Sequence, residues 1–163
     1  MEGQSNKLNP EILLRIKEIY NQSLSLESRI NEILTDIEPE TDTYDILIIE
    51  DDNATIMVLT DYFELKGYSS KGVTTGEKAI EELSRNIPKM ILLDIVLPDI
   101  DGYKISKMIR FDEKFKKLSG VPVYFITAIP ETVVSSKISE TGARGFLLKP
   151  FDFEKFNILF SDL

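Results

Sequence analysis

The 163-residue chain concentrates its candidate chemistry in four short stretches: Glu50-Asp51-Asp52, Asp94, Thr127-Ala128 and Lys149-Pro150. Acids, a hydroxyl and a lysine are the available groups, because the chain contains no cysteine and no histidine. That excludes disulfides, thiolate metal sites and thiol catalysis, and with them histidine-ligated zinc, the Ser-His-Asp triad and imidazole acid–base work. If Glu50, Asp51 and Asp94 converge, three carboxylates repel one another, and one protonates unless a cation neutralises them. Hard oxygen ligands, with water in the remaining positions, suit Mg²⁺. Mg²⁺ held by so few carboxylates takes phosphate oxygens as its other partners. Lys149 as a point charge and Thr127 as a hydroxyl donor would then complete a phosphoryl clamp. Without histidine, cysteine or a glycine-rich P-loop, the natural nucleophile is a carboxylate and the product an aspartyl phosphate. Neither GxGxxG nor a Walker lysine occurs, so nothing supports nucleotide binding.

The elements that must position these residues are short strands alternating with helical periods. Asp45-Ile46-Leu47-Ile48-Ile49 reads as a strand buried on both faces. Tyr68 to Val73 predicts a second strand, Met90-Ile91-Leu92-Leu93 a third, Val121 to Ile126 a fourth and Gly145 to Leu148 a fifth. Asn53 to Lys66 carries Ile56, Leu59, Tyr62 and Phe63 at helical spacing, and Gly67 ends it. Further helices are predicted from a Thr75 cap through Leu83, with Pro88 stopping what remains, and from Tyr103 to Arg110. Another runs from Pro130 in its first turn to Gly142, and the last from Asp152 to the C-terminus. Five βα units in succession define an α/β fold, a doubly wound five-stranded parallel sheet with helices on both faces, whose ligands sit at the carboxyl ends of the strands. All strand ends but the second deliver an ionisable or hydroxyl side chain to that edge. An acid after a strand often only caps the next helix, which explains Asp52 well, but a cap does not explain Lys149.

Composition bounds the rest. Apolar residues make up 42% of the chain, enough for the core of one ordinary domain plus something small. No apolar run approaches the roughly eighteen residues needed to cross a bilayer. MEGQSNKLNPE lacks the basic start and apolar stretch of a signal peptide, so a cytoplasmic protein is expected. A net charge of −9 disfavours DNA and anionic membranes as direct partners unless basic residues cluster. The tightest cluster, Lys114, Lys116 and Lys117, also holds Asp112 and Glu113 and reads as a solvated loop rather than a nucleic-acid footprint.

Residues 38–43 form a polar, proline-containing linker between an N-terminal segment, 1–37, and the α/β domain, 44–163. Asn9-Pro10-Glu11 is a good helix start. Ile12, Ile16, Ile19, Leu26, Ile30, Ile33 and Ile37 then follow steps of four and three, with Ser23 alone breaking the seam. The pattern fits a coiled-coil homodimer through residues 12–37. It also fits an amphipathic helix, broken near Ser23-Leu24-Ser25, folded against the rest of the chain.

Four motifs carry a family resemblance: Ile48-Ile49-Glu50-Asp51-Asp52; Leu92-Leu93-Asp94-Ile95-Val96-Leu97-Pro98-Asp99-Ile100-Asp101-Gly102; Phe125-Ile126-Thr127-Ala128; and Gly145-Phe146-Leu147-Leu148-Lys149-Pro150-Phe151. From about Tyr44 to Leu163 the chain resembles a two-component response-regulator receiver domain of the single-domain chemotaxis type, with an N-terminal helical extension. The resemblance implies a flavodoxin-like strand order 2-1-3-4-5, which sets strands one and three side by side at the switch point. It implies a phosphorylation-dependent signalling switch, a phosphoacceptor that catalyses its own phosphorylation and dephosphorylation and turns over no separate substrate. Asp94 would take the phosphoryl group from a sensor histidine kinase or phosphotransfer protein. Glu50, Asp51, Asp94 and the backbone carbonyl of Val96 would hold Mg²⁺. Thr127 would bond a phosphoryl oxygen, Ala128 would leave room for it, and Lys149 would pair with it, across a cis bond to Pro150.

Phe146 stands where the family has a rotating aromatic that reports phosphorylation to the face of the fourth helix, fifth strand and fifth helix, where a downstream protein target would bind. It also reads as an ordinary strand residue. Val96 and Ile129 would flank the path of the hydrolytic water and control dephosphorylation, or simply face solvent. Pro98 and Gly102 need only turn geometry, and Met57, Met90 and Met108 read as core or near-core packing. A haloacid-dehalogenase-like phosphatase would also form an aspartyl phosphate, but it wants an acid two residues after the nucleophile, where this chain has Val96. A phosphorylation-independent pseudo-receiver is disfavoured by the presence of Glu50, Asp51, Asp94, Thr127 and Lys149 together.

Overall fold

The computed structural model describes residues 43–160 and, in the N-terminal segment, Glu11, Leu14, Arg15, residues 17–23, Ser25, Leu26 and Arg29. The chain divides into two units, Met1–Thr41 and Asp42–Leu163. In the first, each described residue from Glu11 to Arg29 is helical. Ser23 and Ser25 are among them, and Leu24 lies outside the described residues. Ile19 and Leu26 are exposed within this unit. The seam positions Ile12, Ile16, Ile30, Ile33 and Ile37, and linker residues 38–42, lie outside the described residues.

The second unit holds five strands, β1 (Ile46–Ile49), β2 (Ser70–Val73), β3 (Met90–Asp94), β4 (Val123–Thr127) and β5 (Gly145–Leu148). Its helices are α1 (Asn53–Leu65), α2 (Gly76–Arg85), α3 (Gly102–Phe111), α4 (Glu131–Thr141) and α5 (Phe153–Leu159). The sheet is wholly parallel in the order β2-β1-β3-β4-β5. The central strands are apolar up to their carboxyl ends because both faces are covered, and successive side chains alternate between the two. Ile46, Ile48, Met90 and Leu92 pack with Leu59 and Phe63 of α1 and Phe156 of α5. Leu47, Ile49, Ile91 and Leu93 pack instead with Ala79 and Leu83 of α2, Ile105 and Ile109 of α3 and Val134 of α4.

Asp52, Thr75, Asp101 and Asp152 each accept a backbone N–H in the first turn of the helix that follows. Gly67 and Gly142 turn the chain at positive φ, 84° and 69°, past the ends of α1 and α4.

Several boundaries differ from expectation. β2 begins at Ser70 because Tyr68 N–H bonds back to the Phe63 carbonyl at the end of α1. β1 begins at Ile46, and the Asp45 carboxylate before it pairs with Lys89 and accepts the Ser69 N–H. β4 begins at Val123, and Pro130 caps α4 rather than lying within it. The segment read as a solvated loop is a 3₁₀ helix, Glu113–Leu118, which buries Phe115 and Leu118 while its lysines stay exposed. Met57 is 65% exposed rather than packed, because it lies across α1 from the inward-facing Leu59 and Phe63. Among the described residues, no helix is long and apolar enough to cross a membrane.

Candidate functional site

Register decides which side chains meet. Ile49 pairs with Leu93, so the next residues, Glu50 and Asp94, emerge level with each other at the carboxyl ends of neighbouring strands. Thr127 pairs with Leu148, so Lys149 leaves β5 beside it, and the Lys149 N–H donates to the Thr127 carbonyl at 2.9 Å. The lysine then reaches back across the edge. Its Nζ lies 2.7 Å from Asp94 Oδ2 in a hydrogen bond and 2.6 Å from Glu50 Oε2 in an ion pair. Glu50, Asp94 and Thr127 are buried, whereas Asp51 is exposed. One carboxylate oxygen from each of Glu50, Asp51 and Asp94 lies within 4.8 Å of the others.

This crowding shifts the titrations. Burial pushes the Glu50 carboxyl up to about 7, and the neighbouring Asp94 charge adds to the rise; Lys149 and the Asp52 N–H oppose it. Burial works to lower Lys149, but its contacts with Asp94 and Glu50 outweigh that and hold the ammonium above its ordinary range. The site therefore gathers three carboxyl groups, two of them paired with one fixed cation, an arrangement that another cation would relieve. The donor set is carboxylate oxygen alone, which fits a hard ion such as Mg²⁺.

The remaining expected residues line the same edge. The Val96 N–H donates to Asp94 Oδ1 at 3.1 Å, which fixes the carboxylate's plane, while the Val96 side chain is 63% exposed. Thr127 Oγ1 accepts the Ile129 N–H at 3.1 Å. Ile129 and Phe146 are half-buried against the cluster that holds Phe125 and Val134. Ala128 is exposed. Asp52 lies beside the acids but is spent on capping, with both carboxylate oxygens on the Ala54 and Thr55 N–H groups. The Lys149–Pro150 peptide is cis.

Two supporting residues escaped sequence reasoning. Gly102 is not at positive φ, so turn geometry does not explain it. It is a close approach: a Cβ there would overlap the carbonyl oxygen of Asp94. Asp99 accepts the N–H groups of Gly76 and Glu77, both at 2.8 Å. Those partners lie more than twenty residues earlier in the chain, and nothing local marks them.

A parallel α/β sheet with an acid triad, a threonine and a lysine at its carboxyl edge defines the receiver class, and comparison with known proteins agrees. The response regulator receiver domain family matches residues 46–159, and the chain belongs to that family. Members are phosphorylation-dependent signalling switches that exchange phosphoryl groups with histidine kinase or phosphotransfer partners. The chain is 27% identical over 114 residues to the polar-differentiation response regulator DivK of Brucella ovis, covering 70% of this chain and 90% of that one. It is 32% identical over 110 residues to the DNA-binding dual master transcriptional regulator RpaA of Synechocystis, covering 68% of this chain but 44% of that one. Among solved structures, a putative response regulator from Chloroflexus aurantiacus is similar with a TM-score of 0.64 and 27% identity, over 72% of this chain and 94% of that one. A two-component response regulator from Clostridium difficile gives 0.63 and 27%, over 74% and 98%.

Proposed function

We propose that Asp94 is the phosphoacceptor of this switch. The observation that carries the reading is Lys149 Nζ lying 2.7 Å from Asp94 Oδ2, with Glu50 behind it. An Asp94 carboxylate oxygen attacks phosphorus in line as the nitrogen–phosphorus bond of the partner's phosphohistidine breaks, so the phosphoryl group passes whole from nitrogen to oxygen. Val96 N–H holds Asp94 Oδ1 and orients the attacking carboxylate. Lys149 then pairs with the added negative charge, and the Thr127 hydroxyl donates to a phosphoryl oxygen. Glu50, Asp51, Asp94 and the Val96 carbonyl would hold Mg²⁺, which supplies charge neutralisation for the phosphoryl oxygens when bound.

Phosphorylation is read out through Phe146 to the face of α4, β5 and α5, where a downstream protein binds. The same site catalyses loss of its phosphate to water, with Val96 and Ile129 covering the approach. Residues 12–37 serve as a dimerisation helix within the N-terminal segment, 1–37, joined by a 38–43 linker to a 44–163 receiver that works in the cytoplasm. Incubation with acetyl phosphate and Mg²⁺ tests the assignment: one phosphoryl group enters wild type and none enters Asp94→Asn.

A further inference from the structure

The loop from Ile95 to Asp101 carries Val96, whose N–H, in the peptide with Ile95, already bonds Asp94, and whose carbonyl lies in the next peptide, with Leu97. Two of its restraints are local to its own end. Gly102 N–H donates to the Ile95 carbonyl at 2.9 Å, and Asp101 caps α3 through the Tyr103 N–H at 2.7 Å. Asp99 ties the loop to α2: its two carboxylate oxygens each accept one N–H from the first turn of that helix, Gly76 on Oδ1 and Glu77 on Oδ2. A carboxylate at a helix N-terminus is favoured both by charge-assisted bonding and by the helix dipole. Burial works to raise Asp99, and these N–H bonds overcome it, leaving the carboxyl below its ordinary range.

The division of labour at this helix end is plain. Thr75, the residue before α2, accepts the Lys78 N–H at 3.3 Å and leaves the two earlier N–H groups to Asp99. The contact is also closed sterically. A Cβ on Gly76 would come within 2.9 Å of both Ile100 Cβ and Ile105 Cδ1, so the glycine lets the loop seat against the helix. Leu97 and Ile100, flanking Asp99, are half-buried on the core beneath.

We infer that Asp99 is a positioning residue for the cation site: by clamping the loop to the first turn of α2, it holds the Val96 carbonyl where Mg²⁺ takes it up. The inference rests on the phosphoacceptor reading above, because it uses the Val96 carbonyl as a ligand. A peptide carbonyl is a good ligand only when its direction is fixed, and the Asp99 bonds to α2 restrain the loop three residues beyond Val96. Outer partners of this kind commonly matter to metal affinity almost as much as the ligands themselves.

The test is Mg²⁺ affinity, measured by titration calorimetry on the full chain with no phosphoryl donor present. Asp99→Ala should weaken Mg²⁺ about tenfold, and Asp99→Asn, which keeps the shape and one acceptor oxygen, about threefold. Thr75→Ala removes the other cap of the same helix end and should lower stability while leaving Mg²⁺ affinity within about twofold of wild type. Asp99 variants that bind Mg²⁺ like wild type overturn the inference and leave the phosphoacceptor reading intact. So does equal weakening in Thr75→Ala, which would mean general loosening of α2. A wild-type chain that binds no Mg²⁺ overturns the phosphoacceptor reading itself, and this inference with it.

Discussion

Lys149 Nζ stands 2.6 Å from Glu50 Oε2, joining the end of β5, at one edge of the sheet, to the end of β1 across the mouth of the site. The contact does not keep Glu50 fully ionised: burial, reinforced by Asp94, still pushes its carboxyl from 4.5 to about 7. The folded chain therefore binds more protons than the unfolded chain between those values, and its stability falls as pH rises through them. Metal-free wild type should be most stable on the acid side of this window and lose stability toward pH 8. Glu50→Gln should lack that slope. Mg²⁺ must displace the Glu50 proton, so affinity should rise about tenfold from pH 6 to pH 8 and then level. Urea unfolding and calorimetry across pH check both; a flat Mg²⁺ profile contradicts the shift.

Gly102→Ala should be costly far out of proportion to one methyl group. Its Cβ meets backbone, the Asp94 carbonyl oxygen and Ile95 Cα, rather than a side chain that can swing away. Overpacking of this kind costs about 2–3 kcal/mol, and relief requires α3 to withdraw from the end of β3. Urea midpoints measure the loss, and slower phosphoryl incorporation should accompany it. Wild-type stability would show that the helix start can retreat freely.

The parts of the fold set by local pattern were legible in the sequence, and the parts set by distant contacts were not. Ile46–Ile49 and Met90–Leu93 read as two-sided strands because every residue in them is apolar, and the acids that follow mark where each strand leaves the core. Asp52, Thr75 and Asp152 were visible as caps because their partners are two or three residues away. The 3₁₀ helix was hidden because Phe115 and Leu118 are outnumbered by the charges around them. Met57 misled because methionine's hydrophobicity says nothing about which side of α1 it occupies. Gly102 looked like a turn glycine, since a close backbone approach leaves no trace in spacing. Asp99 was invisible because its partners, Gly76 and Glu77, lie more than twenty residues away.

The proposed function predicts a long-lived phosphorylated state, because two apolar side chains would flank the path of the hydrolytic water. Neither Val96 nor Ile129 can hydrogen-bond a water into line with phosphorus, and both are stiff at χ1. One or two kcal/mol of forgone water positioning corresponds to roughly five- to thirtyfold in rate. The Val96→Asn, Ile129→Glu double variant should lose phosphate faster by that factor, followed by phosphate release after removal of the donor. An unchanged rate would take these residues out of the hydrolytic path.

Self-association tests the N-terminal segment. Ile19 and Leu26, seven residues apart on the helix, are both more than 60% exposed within their unit and share the predicted seam. Full-length protein should sediment as a dimer, and Ile19→Asp with Leu26→Asp should sediment as a monomer with the receiver still accepting phosphate. A wild-type monomer at high concentration contradicts the dimer.

The most direct measurement of the central claim is intact-mass and peptide-level mass spectrometry after incubation with acetyl phosphate, with and without Mg²⁺. Wild type should gain a single phosphoryl group on the peptide containing Asp94, only in the presence of Mg²⁺, and Asp94→Asn should gain none. Equal labelling of Asp94→Asn, or a phosphoryl group located on another residue, would contradict the account.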